Sequence, residues 1–187
     1  MKKFLVVALV FVSFSASAQL AVSPIPPLDK SPMDMSYFPV NYPILKIQNK
    51  SIAPLLMRVI YSRPQVNGRK IFGELQEYGE VWRLGANEAT EIEFFRDVEI
   101  NRKKIKKGRY TLYAIPFPDK WTLIVNKDTD TWGSFRYDSL KDVVRMDLPV
   151  KKNDLTEDMT IVFEKTNTGA NMNIYWDEVK TSLPVVF

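Results

Sequence analysis

The chain has 187 residues, with 26 lysines and arginines against 22 acidic side chains, no cysteine and no histidine. Those two absences exclude disulfides, thiolate nucleophiles, Ser-His-Asp and Cys-His catalysis, and zinc, haem, copper or iron–sulfur centres that need His or Cys ligands. Seven glycines form neither a GxGxxG nor a Walker loop, and no Ser-x-x-Lys occurs, so carboxylates, lysines, arginines, tyrosines and all-oxygen metal sites remain for chemistry.

Lys2 and Lys3 precede an apolar stretch over residues 4–14 and then Ala16-Ser17-Ala18. This order predicts a Sec signal peptide over residues 1–18, cleaved after Ala18, and a periplasmic or secreted protein. The apolar run is shorter than the roughly 20 residues a membrane-spanning helix requires, so the protein is not expected to be membrane-integral. Gln19 stands where a lipid-anchor cysteine would stand. Removing Lys2 and Lys3 leaves 24 basic against 22 acidic groups, a balance near +2. A chain of this length makes one ordinary domain.

Residues 19–43 carry six of the twelve prolines, at 24, 26, 27, 32, 39 and 43, which predicts an extended arm rather than a helix. That arm is either a tether or laid across the domain, and Met33, Met35, Tyr37 and Phe38 favour partial docking, since a purely flexible spacer would not carry them. The domain proper is then expected over residues 44–187. Residues 44–48 and 55–61 are β-rich. Residues 90–95 alternate, with Ile92 and Phe94 on one face and Glu91 and Glu93 on the other. Residues 109–115 and 121–125 make a pair around Pro116, Pro118 and Asp119. Residues 143–148, 159–163 and 172–176 repeat the period of two, and a last strand includes Val185 and Val186. Eight or nine short strands without a helical window beyond two turns predict an all-β fold, an antiparallel β-sandwich or a jelly-roll-like barrel.

The densest basic run, residues 102–109, reads either as an anionic-polymer site or as a hairpin tip whose lysines discourage edge pairing. The near-neutral balance and the lack of interleaved aromatics favour the tip, with the turn at Gly108, and no nucleic-acid partner. Asn126, Asp128 and Asp130 alternate like calcium-loop ligands, but Thr131 and Tyr137 stand where the loop needs glycine and glutamate, so a polar turn and no metal are expected. No cofactor is expected.

Residues 61–88 scarcely alternate and must be a long ordered loop; loops of that length are functional or disordered, and their arginines and aromatics argue against disorder. Extending the register of Ile92 and Phe94 backward puts Glu88 on the buried face, where a carboxylate requires a cationic partner from Arg63, Arg69 or Arg83. One reading is an Arg–Glu network that pins the loop. The other is a pocket in which Arg63, Arg83, Asn87 and Glu88 face a polar or anionic ligand, with Trp82 as a platform. The two are compatible. Trp121 and Trp176 read as core, and Trp132, beside Gly133, is the better surface aromatic for stacking on a sugar or peptide.

The run YSRP, GRKIFG, YG, VWR and GANEAT between residues 61 and 90, followed by GRYTLYAIP, WTLIVNK, WG, YD and DVVRM, resembles the DUF2911 family of exported bacterial proteins. The resemblance covers residues 30–186 and departs at Leu84, where the family usually has threonine, and at Phe117-Pro118. It implies a secreted or periplasmic β-domain from Bacteroidota and their relatives, and no activity or cofactor. The expected function is a binding or structural module of the cell envelope contacting a glycan, peptide or envelope protein through Arg63, Arg69, Trp82, Arg83, Asn87, Glu88 and Trp132. The alternative is a carboxylate-based glycan hydrolase or lyase with Glu88 as acid or base, which needs a second carboxylate about 5–10 Å away.

Overall fold

Alternation of apolar and polar residues builds two antiparallel sheets that face each other across one core. The computed structural model describes residues 25–50 and 53–187; the predicted signal peptide and the first residues of the arm lie outside the described residues. Ten strands are described: β1 (Met33–Phe38), β2 (Met57–Ser62), β3 (Glu91–Phe94), β4 (Val98–Ile100), β5 (Lys103–Ile105), β6 (Gly108–Pro116), β7 (Lys120–Asn126), β8 (Asp142–Pro149), β9 (Lys151–Lys165) and β10 (Gly169–Val186). One sheet has the order β1-β2-β3-β6-β7-β8 and the other β5-β4-β10-β9. Both sheets are open, so the arrangement is the sandwich and not the closed barrel. Among the described residues no helix is long and apolar enough to cross a membrane.

The register explains the core. Val59 pairs with Ile92, Ile92 with Tyr110, Leu112 with Val125 and Val125 with Val144, so one inward row crosses five strands. Met159, Ile161, Phe163, Met172, Ile174, Trp176, Leu183 and Val185 face it from the second sheet, all buried. Burial of such rows, about 25 cal/mol per Å² of apolar surface, is the main force holding the sheets together.

Three expectations change. Residues 44–48 are not a strand: Tyr42–Ile47 is a short helix, α1, with proline in its first turn and no buried residue. Proline pre-sets the helical φ there, and no neighbouring strand offers a ladder. The strands expected at 159–163, 172–176 and 185–186 are parts of just two long strands, β9 and β10; bulges on either side of Asp177, whose φ is +57°, bend β10 and interrupt its alternation. The turn in the basic run is at Asn101-Arg102, both with positive φ, between β4 and β5, and not at Gly108, which opens β6. Lys104, Lys106 and the backbone of Lys107 converge there on Asp97.

The proline-rich arm is docked from Met33 onward. β1 pairs along its whole length with β2, from Met33 opposite Ser62 to Phe38 opposite Met57. Phe38 is buried, stacks on Phe187 at 5.5 Å and meets the edge of Phe163 at 6.2 Å.

Candidate functional site

Residues 63–90 link β2 to β3 without a strand of their own, yet they are not a flap. Val66, Ile71, Phe72, Trp82 and Leu84 belong to the main core. Phe72 lies against three indoles, with ring centroids 5.9 Å from Trp82, 5.1 Å from Trp121 and 6.0 Å from Trp176. Trp82 stacks on Trp176 at 5.6 Å, and its Nε1 donates to the Gly85 carbonyl at 3.0 Å. Trp82 is therefore a core residue and cannot serve as a ligand platform. Trp121 and Trp176 are core, as expected.

Glu88 is exposed, which overturns its inward placement and the Arg–Glu network built on it. The backward extension of the β3 register fails because pairing with β6 passes from Thr90, whose carbonyl accepts from the Leu112 amide at 2.8 Å, to Trp82, which exchanges backbone bonds with Ala114 at 2.7 and 2.9 Å. The loop folds back on the strand end: Thr90 donates from Oγ1 to the Leu84 carbonyl at 2.6 Å and from its backbone to Arg83 at 3.1 Å. Glu88 is left outside that ladder and bridges Trp132 instead.

The arginines are spent elsewhere. Arg63 donates to the Met159 carbonyl, the Thr160 hydroxyl and the Asp34 carboxylate at 3.0–3.1 Å, tying the loop to β1 and β9. Arg69 closes its own turn on the carbonyls of Val66 and Gln65. Arg83 makes no side-chain hydrogen bond or ion pair among the described residues, and its Nε is buried without a partner. Burial pushes the Arg83 guanidinium below its ordinary value. Asn87 donates to Asp29 at 2.8 Å and holds the arm against the loop.

The candidate residues thus separate into two places. Glu88 and Trp132, joined by a backbone bridge, line a groove of about 440 Å³ with Met33, Ile60, Glu91 and Asp130. Trp132 is 60% exposed and stacks on Phe135, itself 79% exposed, with centroids 5.8 Å apart. Gly133 permits this stack, since its φ is +72° and a Cβ there would lie 2.6 Å from the Phe135 ring. Arg69, Trp82 and Arg83 instead border a smaller cavity of about 190 Å³ with Trp176, Gln76 and Gly85. Arg63 and Asn87 line neither.

Two carboxylates of the groove are engaged. Arg109 donates to Glu91 at 2.6 Å and to Asp130 at 2.7 Å, and Glu91 also accepts from the Asp130 backbone at 2.6 Å. The Arg109 guanidinium, with the Thr129 hydroxyl, holds Asp130 below the usual carboxylate range. Glu88 has no side-chain partner among the described residues. Sequence reasoning missed Glu91, Asp130 and Arg109 as a unit, although the outward parity of Glu91 and Arg109 on neighbouring strands was a usable signal. The calcium-like trio is dispersed: Asn126 is buried and bonds Asp138 and Asp142, Asp128 pairs with Lys141, and Asp130 pairs with Arg109. Among the described residues no three acidic side chains are grouped to hold a metal ion.

Fold and site define a two-sheet antiparallel β-protein with a core-anchored loop that separates an aromatic, acidic groove from an arginine-lined cavity. The chain belongs to the DUF2911 family, a protein family of unknown function, whose model matches residues 45–185. It matches no curated protein and no solved structure at a significant level.

Proposed function

We propose that this protein is a non-catalytic binding module exported to the cell envelope, and that the groove between Glu88 and Trp132 receives a glycan or peptide. One observation carries the reading. A solvent-facing indole, backed by Phe135, stands at the rim of a groove holding an unpaired carboxylate. An aromatic face beside a hydrogen-bond acceptor suits a sugar ring or a peptide side chain.

A glycan-active enzyme with Glu88 as acid or base is the second reading, favoured by three carboxylates at one groove. It is weaker because a general acid needs a raised pKa, whereas Asp130 is held low and Glu91 is committed to Arg109.

Acrylamide quenching tests the binding reading. Trp132 is exposed while Trp82, Trp121 and Trp176 are buried, so quenching reports mainly on Trp132. Oligosaccharides, peptidoglycan fragments and short peptides should include a ligand that protects the fluorescence and raises the melting temperature, with both effects lost in Trp132→Ala. Undiminished quenching with all of them would refute the groove as a binding surface. Turnover of any glycan that disappears in Glu88→Gln would favour the enzyme.

A further inference from the structure

The second cavity shares no lining residue with the groove and carries an inference of its own. Two of its lining residues each carry a buried donor without a hydrogen-bond partner among the described residues, Arg83 at Nε and Trp176 at Nε1. The Trp176 side chain is almost wholly enclosed, at 2% exposure, whereas the neighbouring Trp82 indole satisfies its N–H on Gly85. A buried donor without a partner is costly, so each one calls for an explanation. Arg69 brings a second guanidinium to the same rim, and no aspartate or glutamate lines the cavity. Arg83 has no counter-charge among the described residues.

We infer that the cavity bordered by Arg69, Arg83 and Trp176 is a binding site for a small oxyanion, a carboxylate or phosphate group. A guanidinium presents its N–H fork to either group, and the unpartnered Trp176 N–H is a further donor that a bound anion can recruit. The volume of about 190 Å³ lies below the 300 Å³ or so of a typical small-molecule pocket, so the anion is a small molecule or the charged end of a larger one. Burial depresses the Arg83 guanidinium, and no acidic side chain of the described residues offsets that effect.

The test is a titration of the mature chain with acetate, lactate, glucuronate and inorganic phosphate against chloride at matched ionic strength. Melting temperature and calorimetric heat are followed in parallel. One or more of the oxyanions should give a saturable shift that chloride does not. Saturation by the carboxylates alone, or by phosphate alone, identifies which group the site takes. Trp176→Phe keeps the ring and deletes the N–H, and Arg83→Gln deletes the charge; each variant that folds should bind about tenfold more weakly or worse. Trp132→Ala should leave oxyanion binding intact, which separates this site from the groove. No saturable shift with any oxyanion would overturn the inference, as would full affinity in the folded variants.

Discussion

Glu91 on β3 and Arg109 on β6 hold one another across the outer face of the large sheet, Nη2 to Oε2 at 2.6 Å, and the same guanidinium reaches Asp130 in the loop that carries Trp132. The pair is a diagonal cross-strand contact, since Glu91 lies opposite Thr111 and Arg109 opposite Glu93. One guanidinium and one backbone N–H thus tie Asp130 to the sheet, beside the bonds that Ala89, Thr111 and Tyr113 make to Thr131 and Asp128 of the same loop.

Glu91→Gln should loosen that tie without unfolding the domain. A partly exposed ion pair is worth about 0.5–1 kcal/mol, so the global loss is small. The local effect is larger, because the Asp130 amide donates to the Glu91 carboxylate at 2.6 Å. Hydrogen exchange at Asp130 should accelerate by roughly tenfold, with protection in β6 and β7 unchanged. Equal protection in variant and parent would mean the loop is held by other contacts.

Phe72→Ala tests whether the long loop is part of the core. Its ring is enclosed by Trp82, Trp121 and Trp176, so truncation opens a cavity among three indoles. A cost of about 3–5 kcal/mol is expected, which for a chain of this size lowers the melting temperature by about 10 °C. Denaturant midpoints measure it. A loss below about 1 kcal/mol would show that the loop folds independently of the sandwich.

Gly169→Ala should be destabilising at a position where no unusual φ is involved. A Cβ there would stand 2.0 Å from the Val185 carbonyl oxygen and 3.0 Å from the Val186 Cα, both backbone atoms of β10 itself. Backbone cannot rotate away as a side chain can, so the strand end must shift, at a cost of about 1–3 kcal/mol. Chemical denaturation should record the loss, together with weakened protection of the Phe187 amide, which donates to Thr168.

The pH profile of stability should be flat through neutrality and fall at both ends. No histidine titrates near neutral pH. Asp97, Asp130 and Asp147 are held low, chiefly by bonds from the Lys107 backbone, Arg109 and Lys120 respectively. The stability they contribute is in place above the unfolded value of about 3.9 and is lost as pH falls through their folded values. Burial raises Tyr61, Tyr110, Tyr113 and Tyr137, the last to about 12, where its hydrogen bond to Asp142 adds to the effect. Stability tied to their neutral phenols is full below about pH 10 and is lost as pH rises through the folded values. Denaturant midpoints against pH and tyrosinate absorbance check both limbs. Tyr137→Phe should remove the latest-titrating phenol, and an early, unfolding-independent tyrosinate transition in the parent for all four would contradict the burial argument.

The strand pattern was legible in the linear chain because side-chain alternation is a local property. Ile92 and Phe94, the hairpin from Gly108 to Asn126, and the core placement of Trp121 and Trp176 follow from period two and apolar size. Met33–Phe38 docks through its ladder with β2 and the buried Phe38, while Met33 and Met35, which favour docking in the linear chain, stay exposed. The helix at Tyr42–Ile47 was not legible, since Tyr42, Ile44, Leu45 and Ile47 carry no decisive period and only the lack of a partner strand settles them. Nor was Glu88. Its parity was extrapolated from Ile92 back through Thr90, but beyond Thr90 the folded loop supplies Trp82 as the partner of β6, and Glu88 leaves the strand to bridge Trp132.

The amino-acid order by itself determined which chemistries are impossible, where the β-rich segments run and which family the chain resembles, because composition and alternation need no long-range partner. Tertiary structure alone decided that Trp82 turns inward, that Glu88 and Trp132 share a groove, and that Arg83 and Trp176 meet at one cavity. Residues 83 and 176 are brought together by the packing of two sheets and a folded loop, and no local rule of sequence encodes that distance.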